Sequence, residues 1–472
     1  MTDELDIAER DPAPIADDIL FRDEEGRLSR DWLAELSEHI EAGDKGEVEA
    51  LMAPLHTSDT GDVLEALNHD ERLALIHLLG DRFDFAALTE VDDHIRLTVM
   101  DELPNEQIVQ GVLDLDSDDA VYILEDISAP DREEILAALP TFERLSLKRS
   151  FDFPEDSAGR RMQTEFIAIP PFWTVGQTID YMREDEDLPV DFYQIYVVDP
   201  GYKLLGTIAL DRILRSQRPE TIEAIMNANV IEIEAEEDQE EAARVFERYD
   251  LIEVAVVDDN QRLVGVLTID DIVDVINEEA SEDIRRLGGV GDEEVSDNVW
   301  GTVKSRVTWL AANLVTAILA SLVIGLFNGT IEQMVALAVL MPIVASMGGN
   351  AGTQTMTVTV RALATRDLDI HNARRLVTRE ILVGVVNGFT FAIIMGIVAA
   401  VWFANVDLGI VIGIAMVVNM LAAGLSGILI PIALEKLHVD PAIASSVFVT
   451  TVTDIVGFFA FLSLAAVWFG LL

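Results

Sequence analysis

Asp454 is an acidic residue about halfway along the last apolar segment, which begins near Pro441 and continues to Leu472. At about 1.5 Å per helical residue, Asp454 lies roughly 20 Å into a hydrocarbon core about 30 Å thick. An ionised carboxylate at that depth indicates an ion or proton pathway, unless it is protonated or bonded to a neighbouring helix. Ser446, Thr450 and Asp454 are spaced four residues apart, which places them along one helix face. This pattern favours the wall of a cation path.

Five apolar stretches of the second half are each long enough to span a bilayer as a helix. They cover about 307–327, 333–357, 381–403, 408–434 and 441–471. The first 300 residues contain no such stretch, and the acidic start MTDELDIAER predicts no signal peptide. The sequence therefore predicts a polytopic membrane protein with a large soluble region ahead of its first span.

All eight basic residues after position 300 lie on the same side of the predicted spans. Two precede the first span, five lie between the second and third, and one lies between the fourth and fifth. They are Lys304, Arg306, Arg361, Arg366, Arg374, Arg375, Arg379 and Lys436. The positive-inside rule makes that side cytoplasmic. We therefore expect a multi-pass protein of the cytoplasmic membrane, with cytoplasmic N-terminal domains and an external C-terminus.

The acidic excess is confined to the first 300 residues. Residues 301–472 hold eight acidic and eight basic residues of the chain's 85 and 32, so the net charge of −53 lies entirely in residues 1–300. Solvated carboxylates keep a protein soluble at high salt, and a halophilic cytoplasm explains the excess. The charge excludes nucleic acid as a partner. The absence of Cys excludes disulfides and thiolate metal sites.

The soluble region begins with a helical part. Residues from about 30 to 150 carry apolar side chains at three- and four-residue steps, with short breaks such as the one around Pro130. This pattern predicts an α-solenoid-like bundle of short helices. Its histidines lack metal-site spacing, and we interpret them as surface or packing residues. They are His39, His56, His69, His77 and His94.

A duplicated part follows the helical part. Residues 191–214 align without gaps on 250–273 at an offset of 59, with eight identical pairs. Each copy has the pattern of strand, polar turn, strand and helix within about 60 residues. The two copies resemble a tandem CBS domain pair, a regulatory module that dimerises and often binds adenosyl ligands.

The resemblance to CBS pairs is incomplete at the ribose-contacting pattern. This pattern is a Thr or Ser followed three residues later by Asp, and it is present as Thr268 and Asp271 in the second copy. In the first copy it has become Ala209 and Arg212. Binding of an adenine nucleotide at the pair is therefore in doubt.

The second span contains the segment MPIVASMGGNAGTQTMTVT, in which Pro342 and a Gly-Gly pair weaken the helix. Asn350 and Gln354 place two amides one turn apart. Polar backbone at membrane depth is tolerated only where it is buried or lines a water-filled cavity. Gly348 and Gly352 also form a small-xxx-small pattern, which is typical of close helix packing. The two interpretations are compatible.

Four motifs of the membrane half resemble the membrane domain of MgtE-type magnesium channels. They are PIVASMGGNAGTQ, RALATRDLDIHNARR, VDPAIASS and TTVTDIVG. The helical part, the CBS pair and the five spans also follow the family's order, so the resemblance covers nearly the whole chain. It implies a multidomain membrane protein that is not an enzyme, with an α-helical superhelix, an α/β CBS pair and an α-helical transmembrane domain.

The resemblance also implies domain boundaries. We expect an acidic tail (1–30), a helical N-type domain (31–155), CBS 1 (156–217), CBS 2 (218–277), a connecting or plug helix (278–303) and a transmembrane domain (304–472).

For the pore, the resemblance implies a homodimer in the lipid bilayer that imports hydrated Mg²⁺ past Asp454. Asn350, Ser346 and Ser446 are expected near Asp454, with Asp440 at the cytoplasmic mouth. Mg²⁺ gives up water reluctantly and is usually held by one or two carboxylates, which a pair of Asp454 side chains across a two-fold axis would supply. The family commonly has Asn-Pro or Gly-Pro at Ser446 and its successor, so this departure leaves ion selectivity open.

For regulation, the resemblance implies that cytoplasmic Mg²⁺ binds acids of the CBS dimer, the helical domain and the connecting helix, and thereby closes the pore. The matching positions are Asp118, Asp238, Glu240, Glu247, Asp250, Asp271, Asp274, Glu279, Glu282 and Asp283. Clustered acids repel one another at low Mg²⁺, and bound cations relieve that repulsion. Mg²⁺ is therefore expected as both substrate and regulator.

Other functions leave different signatures. The nearest alternative is a transporter of the same fold for another divalent cation, such as Co²⁺, Mn²⁺ or Ca²⁺, and coupling to Na⁺ or H⁺ stays open. CBS pairs also regulate intramembrane metalloproteases, but no His in this chain is followed by Glu, so the HExxH motif is absent. A CBS-gated chloride protein would need more spans than five.

Overall fold

The computed structural model describes residues 21–23, 25–125, 127–185, 188–189, 192–290, 299–364, 370–437 and 439–471. The chain divides into two compact units, Met1–Ile276 and Asn277–Leu472. The first contains a helical part and two small sheets, and the second contains the long apolar helices. This composition confirms the predicted fold class.

The first unit begins with short helices around an apolar core. Their bounds are α1 (Arg30–Ala42), α2 (Lys45–Met52), α3 (Thr57–Ala66), α4 (His69–Leu79), α5 (Asp93–Glu102), α6 (Asn105–Leu113), α7 (Ser117–Glu125), α8 (Ala129–Ala138) and α9 (Thr141–Phe151). Local caps define several starts, as where Asn68 and Glu71 form a capping box on α4. Leu36, Leu75 and Leu124 are fully buried in the shared core. The three- and four-residue apolar spacing therefore did predict the helical faces that pack together.

Two three-stranded sheets follow, each with its helices. The bounds are α10 (Ala158–Arg161), β1 (Ala168–Ile169), α11 (Val175–Glu184), β2 (Gln194–Val198), β3 (Leu204–Ala209), α12 (Leu210–Arg215), α13 (Ile222–Ile225), β4 (Glu232–Glu234), α14 (Gln239–Tyr249), β5 (Glu253–Val257), β6 (Leu263–Thr268) and α15 (Ile269–Leu287). The strand orders are β1-β2-β3 and β4-β5-β6. In each sheet the first pair of strands is parallel and the second is antiparallel.

The internal repeat is reproduced in atomic detail. Asp199 Oδ1 accepts hydrogen bonds from two backbone amides of its turn, at 2.7 and 3.0 Å, and Asp258 Oδ1 does the same at 2.9 Å for both. A Cβ atom at Gly206 would lie 2.9 Å from Met226 Sδ, and one at Gly265 would lie 2.5 Å from a methionine sulfur. The turn therefore accounts for the identical Asp pair, and close packing accounts for the identical Gly pair.

The second unit contains the helices that can cross a membrane. Their bounds are α16 (Val299–Gly325), the short α17 (Asn328–Gln333), α18 (Ala336–Ala364), α19 (Ile370–Trp402), α20 (Val406–Lys436) and α21 (Pro441–Phe469). Among the described residues five helices are long and apolar enough to span a bilayer, which confirms the predicted number. α20 is the most buried of them, and it packs against α18, α19 and α21. It therefore forms the centre of this unit.

Candidate functional site

Asp454 lies near the middle of α21. The helix begins at Pro441, and Asp440 caps it by accepting a hydrogen bond from the Ala442 amide at 2.7 Å. Asp454 lies 13 positions after Pro441, which corresponds to about 20 Å along the axis. The carboxylate is half-buried, and it has no ion-pair or hydrogen-bond partner among the residues that the structure describes. A carboxylate in this position can attract and hold a cation.

The polar stripe before Asp454 faces the second span. Thr450 Oγ1 donates to the Ser446 carbonyl at 2.8 Å, so its hydroxyl is satisfied within its own helix. A Cβ atom added at Gly349 of α18 would lie 3.9 Å from Thr450 Cγ2. α18 therefore meets α21 one turn before Asp454. Of the other predicted pore residues, Ser346 and Asn350 of α18 are exposed on the single chain, and Ser446 is half-buried.

Asn419 is a polar residue of the membrane unit that the sequence analysis missed. It lies on α20 with 1% of its surface exposed, and its Nδ2 donates to the Val344 carbonyl of α18 at 2.7 Å. A Cβ atom built at Gly348 would lie 2.1 Å from the Nδ2 of Asn419. One built at Gly457 of α21 would lie 2.8 Å from the same atom. The amide thus occupies the point where α18, α20 and α21 meet. A lone amide within the apolar run VVNML was the available signal.

Asp440 has a protein cation as its neighbour. Arg286 Nη1, near the end of α15, forms an ion pair with Asp440 Oδ2. The same guanidinium is paired with Glu282 one turn earlier. Of the predicted residues, Asp440 and Glu282 are therefore joined through Arg286, and both carboxylates are partly neutralised by it.

A second group of carboxylates forms within the first unit. Asp118, at the start of α7, and Asp271, in the first turn of α15, share a side-chain hydrogen bond. Asp271 Oδ2 also accepts from Thr268 Oγ1 at 2.5 Å, and Asp118 Oδ1 accepts from the Asp119 amide at 3.0 Å. Two residues separated by more than 150 positions in sequence are thereby in contact. The ribose-pattern residue of the second repeat is thus engaged by the helical domain.

Burial and mutual repulsion make this group hard to ionise. Burial, followed by the charge of Asp271, raises the pKa of Asp118 well above its usual range. Burial and the charge of Asp271 raise the pKa of Asp119 to about 7, and burial raises that of Asp271 to about 6. Burial also raises the pKa of Asp274, with a contribution from Glu90. Carboxylates held together in this way need either protons or a bound cation.

The remaining predicted regulatory acids are dispersed. On α14, Asp238 caps the start, Asp250 lies at the end with φ of 52°, and about 18 Å of helix separates them. One ion cannot contact both. Glu240 is paired with Arg244 at 2.5 Å, and Glu247 is exposed. The half-buried acids of α15 beyond its first turns are Glu279, Glu282 and Asp283.

No group of three or more His, Asp or Glu side chains arranged to hold a metal ion occurs in the described parts of the chain. Asp118 and Asp271 therefore provide a pair of carboxylates and not a complete coordination shell. Such a pair suits a cation that keeps most of its water, because Mg²⁺ is usually held by one or two carboxylates.

Comparison with known proteins gives a consistent result. Residues 341–464 match a family described as "Divalent cation transporter" (MgtE), residues 55–156 match the MgtE intracellular N domain, and residues 222–278 match the CBS domain. The chain is 30% identical to the magnesium transporter MgtE of Thermus thermophilus, over 91% of this chain and 97% of that protein. It is also 30% identical to the magnesium transporter MgtE of Bacillus subtilis, over 80% and 84%.

Among solved structures, the chain is similar to the cytosolic domain of the Mg²⁺ channel MgtE in complex with ATP. The identity is 26%, the match covers 52% of this chain and 99% of that one, and the TM-score is 0.49.

Proposed function

Because the chain belongs to the MgtE family of magnesium transporters, which are not enzymes, we propose that it conducts Mg²⁺ past the carboxylate of Asp454. It is a multi-pass membrane protein with an intracellular N domain. The observation that carries the proposal is the position of Asp454, which lies midway along a spanning helix without a cationic partner among the described residues. The permeating ion would supply the missing positive charge.

The chemistry of the surrounding residues supports a hydrated ion. Mg²⁺ exchanges its water slowly, and oxygen atoms from one carboxylate with nearby hydroxyls and amides can hold it through water. Thr450 lies against α18 at Gly349, the residue before Asn350, and Ser446 continues the same face of α21. Ser346 and Asn350 are exposed on the single chain, which fits a path completed by a second copy. We therefore propose a homodimer whose two Asp454 side chains approach each other, with an external C-terminus.

Asp440 would act at the cytoplasmic mouth in competition with Arg286. An arriving Mg²⁺ and the guanidinium are alternative partners of the same carboxylate. Since a divalent ion is attracted about twice as strongly as a single charge at equal distance, ion entry would loosen the contact between α15 and α21. This arrangement gives Asp440 a role in both conduction and closure.

For regulation, we propose that cytoplasmic Mg²⁺ binds the Asp118–Asp271 pair. The raised pKa values of Asp118 and Asp271 reflect burial and repulsion that a divalent cation would relieve. Binding would hold α7 against the start of α15 and favour the closed pore. Asp274 would contribute from the next turn. Further sites would use the other predicted acids, which are Asp238, Glu240, Glu247, Asp250, Glu279, Glu282 and Asp283.

The pore proposal is tested by Asp454→Asn in proteoliposomes. The amide removes the charge with little change in volume, so Mg²⁺ uptake should be lost while the protein stays folded. Asp407→Asn is the matched control, because Asp407 is exposed in the first turn of α20 and lies outside the apolar middle of the span. Mg²⁺ flux like that of the wild type in Asp454→Asn would refute an ionised Asp454 as the pore ligand.

Selectivity is measured in the same vesicles. Co²⁺, Mn²⁺ and Ca²⁺ compete with Mg²⁺ for uptake in turn, and we expect Mg²⁺ to be preferred. Preference for one of the other ions would support the alternative of a same-fold transporter with a different substrate.

A further inference from the structure

The membrane unit contains a further cavity with polar residues in its lining. Of the residues discussed above, Gln354 alone lines it. It has a volume of about 180 Å³ and lies between α18, α19 and α20. Its polar lining consists of Gln354 and Thr355 of α18 and Glu380 and Asn387 of α19. α21 contributes no residue to it, so the cavity is separate from Asp454. It lies towards the side on which α18 ends and α19 begins, which the basic residues identify as cytoplasmic.

Glu380 is the unusual feature of this cavity. Its side chain is only 12% exposed although it lies in a spanning helix. Oε2 accepts a hydrogen bond from Thr355 Oγ1 at 3.1 Å. Within the part of the chain that the structure describes, its ion-pair partner is Arg379, whose Nε lies 3.9 Å from Oε1 and whose side chain is 70% exposed. One hydroxyl and one solvated guanidinium do not offset the desolvation of a buried carboxylate.

The lining of the cavity defines what can complete the site. Glu380 repels anions, and the amides of Gln354 and Asn387 add neutral oxygen atoms. A space of about 180 Å³ is large enough to admit a small cation together with water molecules. A carboxylate with neutral oxygen donors is the ligand set typical of Mg²⁺, which keeps several of its waters.

We propose that this cavity is a second cation site, in which Glu380 binds a hydrated divalent ion on the cytoplasmic side of the membrane unit. It would hold an ion beside the conduction path and not within it. The inference relies on the placement of the spans in a bilayer, but it does not require Asp454 to be the pore ligand. The two proposals therefore fail separately.

The absence of Cys allows a local test in the full-length protein. Val383 lines the cavity and is partly exposed, so Val383→Cys provides a single thiol next to Glu380. Its rate of modification by a cationic methanethiosulfonate reagent is measured in proteoliposomes with MgCl₂, or with NaCl at equal ionic strength. At Mg²⁺ ten times above the dissociation constant, simple occupancy predicts a modification rate about tenfold lower.

Three comparisons make this test decisive. Adding Glu380→Gln should abolish the protection by Mg²⁺, whereas Glu380→Asp should retain part of it. Ile393→Cys is the control, because Ile393 is exposed on the same helix outside this cavity. Adding Asp454→Asn should leave the protection of Val383→Cys unchanged. Protection that survives Glu380→Gln, equal protection by Na⁺, or no protection at all would each overturn the proposal. Loss of protection in Asp454→Asn would show that the site is not separate.

Discussion

At the scale of single residues, two carboxylates of α21 differ in what neutralises them. Asp440 caps the helix and is paired with Arg286, whereas Asp454 has no partner among the described residues. The sequence predicted Asp454 because an acid stands out in an apolar run. It could not predict Arg286 opposite Asp440, because 154 positions separate them in the chain. Asn419 and Glu380 were passed over for the same reason, since their importance depends on neighbours from other helices.

Asn419 should be essential for assembly of the membrane unit. Asn419→Leu removes the hydrogen bond to the Val344 carbonyl and places branched methyl groups against Gly348 and Gly457. We expect a loss of about 0.5–1.5 kcal/mol from the hydrogen bond alone, before the steric cost. Thermal unfolding of the detergent-solubilised protein measures it. Asn313→Leu, at an exposed position of α16, is the control, and an equally stable Asn419→Leu protein would contradict the assignment.

The acidic group around Asp118 should make local stability depend on pH. The pKa values of Asp119, about 7, and Asp271, about 6, lie above the ordinary value near 4. The folded state therefore binds more protons than the unfolded state, and its stability falls as pH rises from about 4 to about 7. Without Mg²⁺, amide exchange in α7, corrected for intrinsic rates, should become faster over this range.

Two controls accompany the pH measurement. Added Mg²⁺ should remove most of the dependence, because the cation replaces the protons. Asp119→Asn should also flatten it. A pH profile that is the same with and without Mg²⁺ would show that the group does not bind the ion.

At the scale of elements, hydropathy predicted the five spans but not all of their ends. α19 begins at Ile370, whereas the apolar stretch begins near 381, because the helix includes a basic segment that hydropathy alone assigns to a loop. The short α17 was not predicted, since six residues are too few for a periodic signal. The contact of α7 with α15 followed only from the family resemblance, because nothing in either segment specifies the other.

The ion pair between α15 and α21 should set the Mg²⁺ concentration that closes the pore. Arg286→Gln leaves Asp440 as a helix cap but removes its cation. If this contact favours the closed state, closure should require about 5- to 150-fold more Mg²⁺, which corresponds to a coupling of about 1–3 kcal/mol. The measurement is the Mg²⁺ dependence of flux in patches or proteoliposomes.

Arg374→Gln provides the control for this change. It removes one exposed positive charge at the start of α19, also on the side assigned to the cytoplasm. An unchanged dose–response in Arg286→Gln, or an equal shift in both variants, would mean that general surface charge and not the ion pair is responsible.

At the scale of the whole molecule, the charge of −53 should make stability depend on salt. Repulsion among solvated carboxylates extends about 10 Å at 0.1 M salt and about 3 Å at 1 M. We propose a halophilic origin for this excess and expect the unfolding temperature to rise when KCl is increased from about 0.1 M to about 2 M. Sucrose at equal osmolality controls for solvent exclusion. A transition that does not move with KCl would contradict the halophilic interpretation.

The two sheets of the CBS pair preserve a record of how the chain arose. Where a turn needs a carboxylate, as at Asp199 and Asp258, both halves have the same residue, and the same holds for the tightly packed Gly206 and Gly265. The position that contacts the helical domain differs, with Arg212 in one half and Asp271 in the other. The repeat therefore keeps the same residue where the turn or the packing demands it, and it differs where neither does. The second half thereby places a carboxylate against the helical domain, where the first half has a guanidinium.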